Sequence, residues 1–196
     1  MNPVNASSSA NLPFHQHAML FYSNDSEDRA AAKYVNEGLR RGHLTVYLPV
    51  NTYNISQQPK IVSDIINYKN NVNRGNLLTL DTRSFYNFAL ARDMEPFEGF
   101  KILLEEAIKE RTASKRNDEI ILVIGVVGGL AENQKFDECL NLEKWWQKTH
   151  SEWLQKGLKV TIICPYPSPI LDKNQFMHYK QTISSLHDIT LGPISR

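Results

Sequence analysis

From residue 119 to 127 the chain reads Glu-Ile-Ile-Leu-Val-Ile-Gly-Val-Val, apolar and β-branched with no polar residue alternating along it. A strand with one wet face alternates, whereas a continuous apolar run needs cover on both faces, which a parallel sheet wrapped by helices provides. The flanking sequence supplies those helices. Ala31, Tyr34, Val35, Gly38 and Leu39 recur at helical spacing until Gly42, and Ile61, Ile65, Tyr68 and Val72 share a second helical face before Arg74 and Gly75. Phe100, Leu103, Leu104, Ala107 and Arg111 mark a third helix, begun at Phe97. Cys139, Leu142, Trp146, His150 and Trp153 form one stripe of a long helix over 136–156, with Trp146 and Trp153 as its inward pair.

Short apolar runs at 18–22, 44–48, 77–80, 119–127, 159–164 and 189–191 read as the strands between these helices. A short irregular helical stretch is predicted around Phe85–Leu90, and a final helix over 175–186. Pro165 is predicted to stop the fifth strand, and Gly125, Gly128 and Gly129 to form a tight turn. Alternating strands and helices imply right-handed crossovers, hence an α/β fold with an open, mostly parallel sheet of five to six strands and helices on both faces.

At 196 residues the chain fits one domain, predicted over 14–196, preceded by a tail over 1–13 rich in Asn, Ser and Pro. Twenty-two basic against 21 acidic residues give a net charge of +1, so no global field favours nucleic acid or an anionic membrane. The tail resembles neither a secretory signal nor a transit peptide, and no apolar run reaches membrane-spanning length. Cys139 and Cys164 both lie in apolar segments, which reads as buried thiols in a reducing cytoplasm.

Ligands of open parallel sheets bind beyond the carboxyl ends of the strands, which selects the loops at 22–26, 49–53, 81–86, 128–132 and 165–168. The first has neither glycine nor lysine and carries Asp25 beside Glu27 and Asp28, so it offers no cradle for phosphate. Asn24 with Glu27 is a variant capping box. His15 and His17 have the spacing of paired ligands on a strand, but no third ligand stands near them in sequence, and no metal or other cofactor is expected. Cys164 as a nucleophile beside a histidine is disfavoured by its apolar surroundings. For Glu143 the residues alone favour a solvated carboxylate beside Lys144 or Gln147 at the edge of the apolar stripe.

The segments His17-Ala-Met-Leu-Phe-Tyr22 and Glu37-Gly-Leu-Arg-Arg-Gly-His-Leu-Thr-Val-Tyr47 resemble the opening of the MEDS domain, a sensory domain named after methanogens, methylotrophs and the dichloromethane regulator. Gly75-Asn-Leu-Leu-Thr-Leu-Asp81 with Tyr86, the strand 121–125, the helix holding Leu142-Glu143, and Ile163-Cys-Pro-Tyr166 resemble the family in the same order. The resemblance spans His17 to about His187. It implies a RecA- or KaiC-like scaffold without a phosphate loop, sensing small hydrocarbon derivatives, and it brings an inward-facing Glu143 level with the solvated reading.

The expectation is therefore a stand-alone cytoplasmic sensory domain, not an enzyme, that binds a small organic ligand and signals through a separate protein or by self-association. The alternative is a catalytically inactive RecA/KaiC-like scaffold for protein–protein contact. The candidate ligand-binding residues are His17, Tyr22, Tyr86, Glu143, Tyr166 and His187. Of these, the three tyrosines are expected at carboxyl ends of strands, while His17, near the amino end of its strand, also has the reading of a core histidine bonded to a neighbouring helix, and so does His187.

Overall fold

The computed structural model describes residues 12–23, 27–49, 61–80 and 82–192. The elements in chain order are β1 (His17–Tyr22), α1 (Glu27–Arg40), β2 (Leu44–Leu48), α2 (Ile61–Asp64), α3 (Tyr68–Asn73), β3 (Leu77–Thr79), α4 (Thr82–Ala91) and α5 (Glu95–Ala113). Then follow β4 (Ile120–Ile124), α6 (Gly125–Glu132), α7 (Phe136–Gln155), β5 (Val160–Pro167), α8 (Ser168–Leu171), a 3-10 turn (Asn174–Phe176), α9 (Met177–Ser185) and β6 (Ile189–Leu191). The six strands form one sheet in the order β3-β2-β4-β5-β1-β6, and every pair is parallel. Among the described residues no helix is long and apolar enough to cross a membrane.

The doubly apolar strands do what their composition requires. Along β4, Ile120, Leu122 and Ile124 enter one core while Ile121 and Val123 enter the other. The larger core lies under α4 to α9, and the smaller one under α1 with Ala31, Val35 and Tyr34. Residues 17, 19 and 21 share a face of β1, and Met19 belongs to the larger core. His17 is thereby aimed beneath α7 and α9.

The central strand is shorter than its apolar run. It ends at Ile124, and Gly125 to Glu132 form α6 in place of the expected tight turn. Glycine is a poor helix former, but every residue of α6 from Gly125 to Ala131 is buried, so packing decides. At Gly128 the backbones approach closely: a Cβ there would lie 2.4 Å from the Pro165 carbonyl oxygen of β5. Because the obstructing atom is main chain, it cannot swing aside. Gly128→Ala is expected to cost about 2 kcal/mol despite its better helix propensity, a fall in Tm of roughly 4–8 °C. An unchanged melting temperature would contradict this packing.

The fifth strand runs on through Pro165 to Pro167, where the sequence predicted a stop. Its pairing with β4 ends at Val123 opposite Ile163, while pairing with β1 continues to Tyr22 opposite Pro167. Past Ile163 only one side of β5 has a ladder partner, and a residue without N–H is tolerated there. The expected helix over 61–72 breaks at Asn67, whose φ of 46° is left-handed, and the side chain of Asn36 accepts from the Ile66 N–H and donates to the Asp64 carbonyl. The stretch around Phe85 is a regular helix, and the last helix begins only at Met177. The end of the predicted tail docks: Leu12 is buried, and the Pro13 carbonyl accepts from the Thr161 hydroxyl at 3.1 Å. The remainder of the tail, residues 24–26 of the capping box and first loop, 50–53 of the second, and Asp81 lie outside the described residues.

Helices α5 and α7 are joined at their edge by Glu105, which accepts from Trp153 Nε1 at 2.9 Å and from Lys156 Nζ at 2.8 Å. Burial opposes the Glu105 charge, but these two donors outweigh it and hold the carboxyl below its usual range. A carboxyl pKa lower in the folded than in the unfolded state contributes stability above about pH 4.3, and that contribution is lost as pH falls through the folded value. Glu105→Gln is expected to cost about 1 kcal/mol at pH 7 and less at pH 3, measured by chemical denaturation. Equal losses at both pH values would rule out the charge as the cause.

Candidate functional site

Four chain segments converge on one buried point of the larger core. Strand β1 brings His17, β5 brings Cys164 and Tyr166, α7 brings Cys139 and Glu143, and the turn after α9 brings His187. The side chains of His17, Glu143 and His187 are at most 2% exposed, and Cys164 and Tyr166 are fully buried. Pairing places Met19 opposite Cys164 and Phe21 opposite Tyr166, so His17, Cys164 and Tyr166 face the same side of neighbouring strands. On α7, Cys139 and Glu143 are four residues apart and share a face.

Glu143 is the centre of the cluster. The Tyr166 hydroxyl donates to its Oε1. Its Oε2 lies 3.2 Å from His17 Nε2 and 3.5 Å from His187 Nε2, yet neither contact has hydrogen-bond alignment, and Oε2 has no hydrogen-bond partner among the described residues. Burial opposes the charge on Glu143, but the positive charge of His187 and the nearness of both imidazoles hold its carboxyl well below the usual range. The same pairing acts on His187: burial disfavours its charge, and Glu143 and the Ile183 carbonyl outweigh that and raise its pKa.

The backbone fixes both histidines. His187 Nδ1 is 2.8 Å from the Ile183 carbonyl, which can only accept, so Nδ1 carries a proton and Nε2 faces Glu143. The His17 N–H donates to Asp188 Oδ2 at 2.8 Å, and the Asp188 N–H donates to the His17 carbonyl at 2.8 Å. These bonds lock the start of β1 against β6. The two imidazole rings lie with centroids 4.1 Å apart and are tilted by 38°. His150 stands beside them, its ring 6.1 Å from that of His17 and its Nε2 3.1 Å from the Val160 carbonyl. Burial lowers the pKa of His150.

Cys164 Sγ is 3.4 Å from His17 Nε2, a cysteine–histidine pair. Burial pushes its thiol well above the ordinary value, with the Glu143 charge adding to the shift, so as a bare thiol it is a weak nucleophile. Cys139 lies 3.5 Å from the Tyr166 hydroxyl, and burial raises its thiol as well. Both cysteines are free and buried, as their apolar segments suggested.

Of the six sequence candidates, His17, Glu143, Tyr166 and His187 meet here. Tyr166 does so from inside β5, not from a loop beyond it. Tyr22 ends β1, as the strand-end rule placed it, and donates to Glu132 Oε1 at the end of α6 at 2.8 Å. Tyr86 sits on α4, half-buried against the larger core. Helix α4 packs on α6 and α7. The site lies on the face of the sheet beneath α7 and α9, and its side chains are sealed from solvent. Glu143 is buried, which removes the solvated reading. The members that sequence reasoning left as structural thiols, Cys164 and Cys139, carried a signal: period two pairs Cys164 with Tyr166, and a spacing of four pairs Cys139 with Glu143.

No family model and no curated protein matches the chain. Among solved structures, the flagellar accessory protein FlaH from Methanocaldococcus jannaschii is similar to it with a TM-score of 0.48 and 13% identity, over 92% of this chain and 72% of that one.

Proposed function

We propose that this chain is a sensory domain of the MEDS type, which takes a small ligand at the buried cluster and passes its occupancy to a separate protein without catalysing a reaction. The observation that carries this reading is Glu143: a fully buried carboxylate whose Oε2 faces two imidazoles without a hydrogen bond to either. A buried ion pair that is not fully hydrogen-bonded often contributes less stability than apolar packing of the same volume, so a core that retains one gains little from it. Groups of that kind concentrate at functional sites. The high thiol pKa of Cys164 speaks against a hydrolase, since the cysteine beside His17 stays protonated. Free, buried cysteines agree with a reducing cytoplasm.

Sensing through a sealed site requires opening, and the turn carrying His187 is the element best placed for it. It joins α9 to β6, a three-residue edge strand whose residues are exposed or half-buried. A ligand that favours the opened or re-closed arrangement shifts the balance between the two. The alternative, an inactive RecA/KaiC-like scaffold for protein contact, draws support from Ile102 and Leu103 on α5, which are 57% and 65% exposed side by side.

The experiment is a melting series on the full chain against short alcohols, methylated amines and halomethanes, the small hydrocarbon derivatives that a MEDS sensor would recognise. At least one compound is expected to raise the Tm of the wild type and to leave Glu143→Gln unmoved. A panel that moves neither protein, or moves both equally, replaces the sensory reading with the scaffold.

A further inference from the structure

We propose that His17, Glu143, Cys164 and His187 together bind a divalent transition-metal ion, with Zn²⁺ the best fit to their donor set. This deepens the reading of the buried cluster as the functional site and rests on it. The four donor atoms lie within 4.8 Å of one another. Tetrahedral zinc with bonds of ~2.0–2.3 Å holds its donors roughly 3.3–3.8 Å apart. Three of the separations lie in or just below that range: 3.2 Å between His17 Nε2 and Glu143 Oε2, 3.5 Å between His187 Nε2 and Glu143 Oε2, and 3.4 Å between His17 Nε2 and Cys164 Sγ.

A second observation points to a cation independently of spacing. Glu143 Oε2 and His187 Nε2 are buried and have no hydrogen-bond partner among the described residues. They are two of the four donor atoms, and both are aimed at the same centre. The surrounding contacts are those that orient metal ligands. The Ile183 carbonyl holds the proton on His187 Nδ1, which leaves Nε2 as the coordinating nitrogen. The Tyr166 hydroxyl occupies Glu143 Oε1, which leaves Oε2 free.

Donor chemistry narrows the ion. One thiolate, two imidazoles and one carboxylate favour zinc-like ions over Mg²⁺ or Ca²⁺, which prefer all-oxygen shells. Four protein donors close a tetrahedral shell and leave no position for a reacting water, so the ion is sensed or structural and not hydrolytic. Binding releases to solvent the proton of the Cys164 thiol and any proton on His187 Nε2, and affinity therefore falls with acidity.

The test is titration of the untagged full chain with Co²⁺, followed by absorption spectroscopy and by displacement with Zn²⁺. One Co²⁺ per chain is expected, with a thiolate-to-cobalt charge-transfer band that Zn²⁺ abolishes. Cys164→Ser should lose the band and Cys139→Ser should keep it. Tyr166→Phe should keep it with affinity lowered about 10- to 100-fold. Should Cys164→Ser fail to fold, X-ray absorption on the zinc-loaded wild type decides: one sulfur with nitrogen and oxygen donors supports the site, while no sulfur or two sulfurs overturns it. Absence of cobalt uptake, or a band surviving in folded Cys164→Ser, overturns it too. If cobalt fails to bind while a small organic compound still raises the wild-type Tm through Glu143, the metal falls and the sensory reading stands. If cobalt binds as expected and no organic compound acts, the metal stands and the organic ligand falls.

Discussion

Glu143→Ala is expected to destabilise the metal-free protein by about 3–5 kcal/mol at pH 6, because it strips the counter-charge from a buried histidine and opens a cavity beside it. The contrast with full replacement makes the result interpretable. A variant carrying His17→Phe, Glu143→Leu and His187→Phe removes the carboxylate and both imidazoles facing it at once, and apolar groups of similar size often match or exceed a buried ion pair in stability. That triple variant is expected to lose less than Glu143→Ala alone, by chemical denaturation with unchanged slope. If it loses more, the cluster is part of what holds the fold together, and the case for a functional role weakens.

Trp146→Ala has an expected cost of the same order, about 3–5 kcal/mol. The indole is fully buried between sheet and helices, edge-on to Trp145 at 4.7 Å and to Phe100 at 6.3 Å between ring centroids. Its Nε1 has no hydrogen-bond partner among the described residues. Trp146→Phe is therefore expected to cost much less than alanine, since phenylalanine keeps most of the ring contacts and removes the unsatisfied donor. Equal losses for the two variants would mean that the pocket demands the indole shape itself.

Much of the fold was legible because burial on two faces writes itself into composition. The run from Ile120 to Ile124 has no polar residue to place in water, and the stripe through Leu142, Trp146 and Trp153 marks the face that covers it. Gly42, with φ of 74°, ends the helix that the sequence ended there, and Gly157, with φ of 73°, follows the helix predicted to end at residue 156. What local pattern misjudged is what tertiary context decides. Glycines 125, 128 and 129 suggest a turn, yet a helix packed against β5 needs a residue without a side chain at 128. Pro165 suggests a strand end, yet a strand with one free side accepts it.

The candidate site was half legible for a related reason. Glu143 lies on the apolar stripe, four residues after Cys139 and three before Trp146, and that spacing was visible. Its partners at 17, 164 and 187 come from other elements, and only the order β5-β1-β6 brings them under α7. Ligand spacing within a short motif reveals sites built on one hairpin or helix, whereas this one is assembled by the sheet. The strand-end rule pointed to Tyr22, Tyr86 and Tyr166, of which Tyr166 near the end of β5 reaches Glu143, but the carboxylate itself sits on the face of the sheet, where burial and not loop geometry concentrates electrostatic cost.

The most direct measurement of the central claim, that the Glu143 cluster is where this protein holds its ligand, is native mass spectrometry of the full chain purified untagged from its own host, wild type beside Glu143→Gln. The wild type is expected to carry an additional non-covalent mass, metal ion or small molecule, that Glu143→Gln lacks while keeping the same circular dichroism. Identical spectra for the two folded proteins would contradict it.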